Sequence, residues 1–181
     1  MRYQLYFVLL LSYVITSCGV VSTNEHRCIG FNSCMCKSSV GIIDISALAN
    51  KNGTARFRDI PSPDAAQSTV SWNPCYPFSD GTYQAMACYN VSGCVVHYAA
   101  GMFWYYSLGT QQSATFITDA TRGLGIYYNT TEQGGRSLFV QLQCDPKVEA
   151  DFGVSPDDPY VDNTFYFTLR SRWTCPDPHR N

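Results

Sequence analysis

From Arg136 to Cys144 the side chains alternate in character. Leu138, Val140, Leu142 and Cys144 fall on one side, and Ser137, Phe139, Gln141 and Gln143 on the other. A period of two over that length is the pattern of a strand with one buried face. Ahead of it Gly123-Leu-Gly-Ile-Tyr-Tyr-Asn129 reads as a second strand, and Gly134-Gly135 can supply the positive φ that a tight reversal demands. A third apolar run, Thr164-Phe-Tyr-Phe-Thr-Leu169, follows and ends near Cys175. A bond joining Cys144 to Cys175 would tie strand to strand. This sheet, with Arg136 at its rim, is where function is expected.

The remaining chain predicts the same class of structure. Val40–Leu48 reads as a strand or strand-and-turn, Ser68–Trp72 and Tyr83–Tyr89 as strands, Val95–Leu108 as the most apolar stretch, and Ser113–Ile117 as a short strand. Arg58–Gln67 and Asp145–Asp162, rich in proline and polar residues, read as loops. Strong helical periodicity occurs nowhere, and β-branched and aromatic residues recur in short runs between turn signals. The expectation is an all-β sandwich or flattened barrel in one domain.

Residues 1–19 hold one arginine, an apolar run from Leu5 to Ile15, and small residues at Ser17 and Gly19. That is a secretory signal peptide, and the run is too short to span a bilayer. Ile15-Thr-Ser-Cys18 also fits a looser lipoprotein pattern. Cleavage leaves eight of the nine cysteines, an even number that implies disulfides in an oxidising compartment, with 105 possible pairings. It also leaves 11 basic against 14 acidic residues, a net charge of about −3, with no basic run to suggest nucleic acid. Asn52-Gly-Thr, Asn90-Val-Ser and Asn129-Thr-Thr are glycosylation sequons, which would place those asparagines on the surface.

The order of landmarks resembles the mannose 6-phosphate receptor homology domain of the P-type lectins. The matching pieces are Cys36 with Ile43-Asp-Ile-Ser-Ala-Leu48, Val70-Ser-Trp-Asn-Pro-Cys75, Ala87-Cys88, and Ser107-Leu-Gly109. They continue with Gly134-Gly-Arg-Ser137 leading to Gln143-Cys-Asp145, and Phe165-Tyr-Phe167 to Cys175. The resemblance covers residues 36–175, so residues 20–35 become a leader holding Cys28 and Cys34, and 36–181 the β-domain. It implies a flattened β-barrel or sandwich of two packed antiparallel sheets. It implies bridges Cys36–Cys75 and Cys144–Cys175, leaving Cys88–Cys94 and Cys28–Cys34 by remainder.

Members that bind mannose-type sugars grip vicinal hydroxyls with a glutamine, an arginine, a glutamate and a tyrosine, groups that offer donors and acceptors together. Carried over by position, the arginine falls on Arg136 and the tyrosine on Tyr166. Tyr89 stands where the glutamine is expected, and Asp157, Asp158 or Asp162 must serve for the glutamate. The ligand set that the resemblance implies is therefore Arg136, Tyr166, Tyr89 and Asp158. Set against it are plainer roles: Arg136 stacked on Tyr127 or Tyr128, Tyr166 as a core tyrosine, and Asp157 and Asp158 as a solvated loop. Phe103-Trp-Tyr-Tyr106 alternates sides, so half of it is core and half a contact surface.

His26, His97 and His179 are scattered and no catalytic motif occurs, so neither an enzyme, a cofactor nor a metal site is expected. Two expectations of function follow. The first is a secreted or secretory-lumen (ER, Golgi or lysosome) lectin-like module that binds a glycan or glycoprotein near Arg136. The second is a protein-interaction or accessory module on the same scaffold.

Overall fold

The computed structural model describes residues 27–62, 68–81, 87–131, 134–155 and 160–179. The signal peptide expected at 1–19 lies outside them. The strands, in chain order, are β1 (Ile29–Gly30), β2 (Met35–Ser38), β3 (Gly41–Asp44), β4 (Phe57–Pro61), β5 (Ser68–Trp72), β6 (Phe78–Asp80), β7 (Cys88–Val91) and β8 (Gly93–Ala99). They continue with β9 (Met102–Ser107), β10 (Thr115–Asp119), β11 (Gly123–Asn129), β12 (Ser137–Cys144), β13 (Asp151–Val154), β14 (Tyr160–Val161) and β15 (Thr164–Ser171). Short 3-10 turns at Ser46–Leu48, Gln111–Ser113 and Arg172–Thr174 are the helical content of these residues. The fold is all-β, as the alternating runs require.

Two sheets make the body. One runs β10-β11-β12-β15-β13, with β14 also on β15; the other runs β4-β5-β8-β9. Leu138, Val140, Phe165, Phe167, Leu169, Ile126 and Tyr128 of the first pack against Val70, Trp72 and Val95 of the second. Trp72 and Phe152 stack at 5.0 Å, Phe57 lies 4.7 Å from Phe152, and Phe152 stacks on Phe167 at 5.0 Å. Two smaller sheets, β1-β2-β3 and β6-β7, flank them. The sheets are packed rather than closed into a barrel.

The first sheet is not wholly antiparallel. β15 is inserted between β12 and β13 and runs parallel to β12, in register from Ser137↔Thr164 to Cys144↔Ser171. Residues across a parallel pair share a face, so Phe165, Phe167 and Leu169 join the core beside Leu138, Val140 and Leu142. Tyr166, Thr168 and Arg170 then share the outer face with Phe139, Gln141 and Gln143. Gly125 on β11 makes room for this: a Cβ there would come 2.3 Å from Phe139 Cζ, so the ring lies on bare backbone.

Cys88–Cys94 and Cys144–Cys175 are bonded as the resemblance implied. The other two pairs are exchanged. Cys28 is bonded to Cys36, and Cys34 to Cys75, in place of Cys28–Cys34 and Cys36–Cys75. Strand register is the reason. Ile29 faces Lys37 and Gly30 faces Cys36, which brings Cys28 across the ladder to 5.3 Å from Cys36, Cα to Cα. Cys34, just ahead of β2, accepts the Ile45 N–H and lies 5.0 Å from Cys75 by the same measure. The stretch expected as a leader thus carries β1 and places Cys28 in the main core.

Candidate functional site

Arg136 follows Gly134 and Gly135, whose φ values of 92° and 67° make the reversal between β11 and β12. Thr130 N–H donates to Arg136 O at 3.2 Å and closes the turn. The guanidinium carbon lies 3.9 Å from the ring centre of Tyr106, on β9 of the opposite sheet. Arg136 therefore clasps one sheet to the other, where a cation on an aromatic face is stabilised by the ring quadrupole. Its partner is neither Tyr127 nor Tyr128. The Tyr127 hydroxyl shares a 2.8 Å hydrogen bond with Ser137 Oγ, and Tyr128 is buried in the core.

Tyr166 lies on the other side of the same sheet. Half-buried on the outer face, it packs 5.7 Å from Phe139, and the Arg122 guanidinium covers its ring at 4.0 Å. The turn from Asp119 to Arg122 sets that cover. Asp119 Oδ1 accepts from Thr121 Oγ1, Thr121 N and Arg122 N, and these bonds, the Thr121 hydroxyl first, hold its carboxyl below the ordinary range. Arg136 and Tyr166 thus face opposite ways and do not form the expected fork. Tyr89 is 72% exposed on β7, in a separate two-stranded sheet. Asp157 and Asp158 lie outside the described residues, and Asp162 is exposed in the turn before β15 at φ 50°. The three sequon asparagines, Asn52, Asn90 and Asn129, are exposed.

Two surfaces do gather functional groups. The outer face beyond Tyr166 holds a shallow hollow of about 210 Å3 lined by Gln143, Asp151, Gly153, Val154, Thr168 and Arg170. Residues 151–154, in a stretch whose composition predicts a loop, form β13, and their Asp-Phe-Gly-Val alternation is the local signal for it; residues 58–61 of β4 likewise lie in the stretch 58–67 expected as a loop. A second hollow, of about 290 Å3, lies between Ile42 and Asp44 on one side and Arg172, Trp173 and Pro178 on the other. Arg172 lies 4.9 Å above the Trp173 ring, and the indole N–H donates to Glu149 at 3.0 Å.

The other surface is the β8–β9 hairpin, turned at Ala100 and Gly101 with φ of 53° and 78°. The stretch read as one apolar run is these two strands. On β9 Tyr106 packs on the main core and Tyr105 on a smaller cluster around Phe78, Cys88 and Cys94. Toward the tip Tyr98, Met102, Phe103 and Trp104 are 41, 49, 57 and 37% exposed. Tyr98 and Phe103 stay in contact at 5.0 Å. His97, opposite Trp104, meets Ser68 Oγ at 2.6 Å through Nδ1, a bond that ties β8 to β5.

No helix among the described residues is long and apolar enough to cross a membrane, and no cluster of three or more potential metal ligands occurs among them. No protein-family model matches the chain, and no curated protein matches it.

Proposed function

We propose that this chain is a secreted, non-catalytic binding module on a P-type-lectin-like scaffold, and that it engages a protein partner through the β8–β9 hairpin. The observation that carries this is the tip itself. It presents four large apolar side chains on both faces of a two-stranded projection, and no Asp, Glu, Lys or Arg occurs between Asp80 and Asp119. Aromatic side chains and methionine are enriched at protein interfaces, and charged side chains are depleted at their cores. Four disulfides fit an oxidising, secretory compartment. The mannose-type reading at Arg136 finds less support, because its guanidinium is engaged by Tyr106 and Tyr166 is turned away.

The test pairs two measurements. A benzophenone side chain at Phe103 should crosslink to a discrete protein in the extracellular fluid of the source tissue, whereas the same group at Ile117, on the other sheet, should not. A glycan array probed with the wild type and Arg136→Ala should show the same pattern for both. Mannose-type binding lost in Arg136→Ala would replace this proposal with the lectin reading.

A further inference from the structure

We infer that the free edge of β9 pairs with the same edge of a second copy of this chain, antiparallel across a two-fold axis at Trp104. This pairing rests on the hairpin as the contact surface and specifies its partner. Among the described residues β8 is the one ladder partner of β9. Ala100 and Gly101, both at positive φ, make a two-residue turn, so Ala99 and Met102 on either side of it form a hydrogen-bonded pair. Such pairs alternate along an antiparallel ladder, which makes His97–Trp104 and Val95–Tyr106 the next two. Leu108 N–H donates to Gly93 O at 2.9 Å and continues the same phase. The N–H and C=O of Phe103 and Tyr105 therefore point away from β8, along an edge with no further strand among the described residues.

Strand edges that must stay single are blunted by charge, proline, bulges, short length or cover. The other edges of this molecule are. β4 carries Arg58, Asp59 and Pro61, and its register breaks between Phe57 and Ile60. β13 has four residues and begins on Asp151, and β3 is covered by Asp177, whose N–H and C=O both bond Ile42. β1 has two residues, and β10 ends on Asp119. β9 has six residues in unbroken register, with no charge and no proline. Its edge also complements itself. In the register that uses both free residues, Phe103 faces Tyr105 of the second copy and Tyr105 faces its Phe103, which makes about four backbone bonds. Trp104 then faces its own counterpart as a non-hydrogen-bonded pair, the position at which cross-strand side chains lie closest and aromatic pairs contribute. Like charges placed opposite one another would oppose the pairing, and no Asp, Glu, Lys or Arg occurs from 81 to 118.

Sedimentation equilibrium of the disulfide-intact protein from about 1 to about 200 μM should show a dimer with a Kd of about 10 μM, as a seam of one strand pair allows. Amide exchange reads the geometry. Exchange at Phe103 and Tyr105 should slow about fivefold over that range, with Trp104, already bonded to His97, as the internal reference. Phe103→Lys puts a charge on an exposed edge position, so at about 1 μM it should keep the wild-type disulfides and denaturant midpoint, while raising the Kd at least about tenfold. Ile117→Lys, on β10, should leave the Kd unchanged. A monomer at the highest concentration, a dimer that Phe103→Lys leaves intact, or exchange at Phe103 and Tyr105 that ignores concentration would each overturn the inference. A monomer whose benzophenone at Phe103 still crosslinks to a different protein would leave the hairpin reading standing. A dimer insensitive to Phe103→Lys, with no crosslinked product from Phe103, would count against both.

Discussion

Tyr128 carries its hydroxyl into the centre of the sandwich, where it is fully buried with Trp72 edge-on at 6.4 Å. Among the described residues neither its hydroxyl nor the Trp72 indole N–H has a well-formed hydrogen bond. Burial therefore raises the phenol well above its ordinary value of 10.0, and the neighbouring indole N–H offsets this only in part. The unfolded chain begins to lose that proton near pH 10 while the folded chain keeps it. Stability is then full below that pH and falls as pH rises, by up to about 1.4 kcal/mol per unit. Tyr128→Phe should remove this alkaline slope and change stability by less than about 1 kcal/mol at neutral pH, since the lost hydroxyl had no good partner. Urea denaturation of both proteins at about pH 8 and about pH 11 checks it, and equal slopes would refute it. The sequence marks Tyr128 as a strand tyrosine and a candidate partner for Arg136, not as a core residue. Its burial depends on a tryptophan more than fifty residues away.

At the scale of the element, β15 organises the larger sheet, with β12 on one edge and β13 and β14 on the other. Its two faces differ in what they hold. Phe167 is fully buried and stacks on Phe152, while its neighbour Tyr166 lies half-exposed under Arg122. Phe167→Ala should cost about 3–5 kcal/mol, and Tyr166→Ala about 1 kcal/mol, in denaturant midpoints at constant slope. Equal losses would show that the outer face is as packed as the inner one. The alternation of β12 and β15 was plain because each has eight residues with one apolar side. β13 was hidden because four residues, two of them Asp151 and Gly153, sit in an acidic, proline-bearing stretch. The break at Ala100 is not legible in the sequence because alanine takes the left-handed conformation there, and only Gly101 beside it announces a turn.

For the whole molecule, the disulfides decide how the small amino-terminal sheet is held. Cleavage at methionine discriminates the pairings, because Met35 separates Cys28 and Cys34 from Cys36 and Cys75. With Cys28–Cys36 and Cys34–Cys75 in place, the fragment ending at Met35 stays attached until reduction. With Cys28–Cys34 and Cys36–Cys75 it would come free. Loop length sets the energetic consequence. Removing Cys34–Cys75, which spans 41 residues, should cost roughly 4 kcal/mol, against roughly 2 kcal/mol for Cys88–Cys94, which spans 6.

Whereas β4 and β13 lie in stretches whose composition predicts loops, sequence by itself determined the class of fold, the strands β3, β5, β10, β11, β12 and β15, the oxidised state of the cysteines, and which side chains of β12 and β15 point inward. These follow from local pattern, since alternation and turn residues act over a few positions. Tertiary structure alone decided that β15 enters beside β12 in parallel, that Cys28 takes Cys36, and that Arg136 and Tyr166 part to opposite faces. Alternation assigns a residue to a face but leaves the face across from it unnamed, and only the packing of distant strands supplies that neighbour.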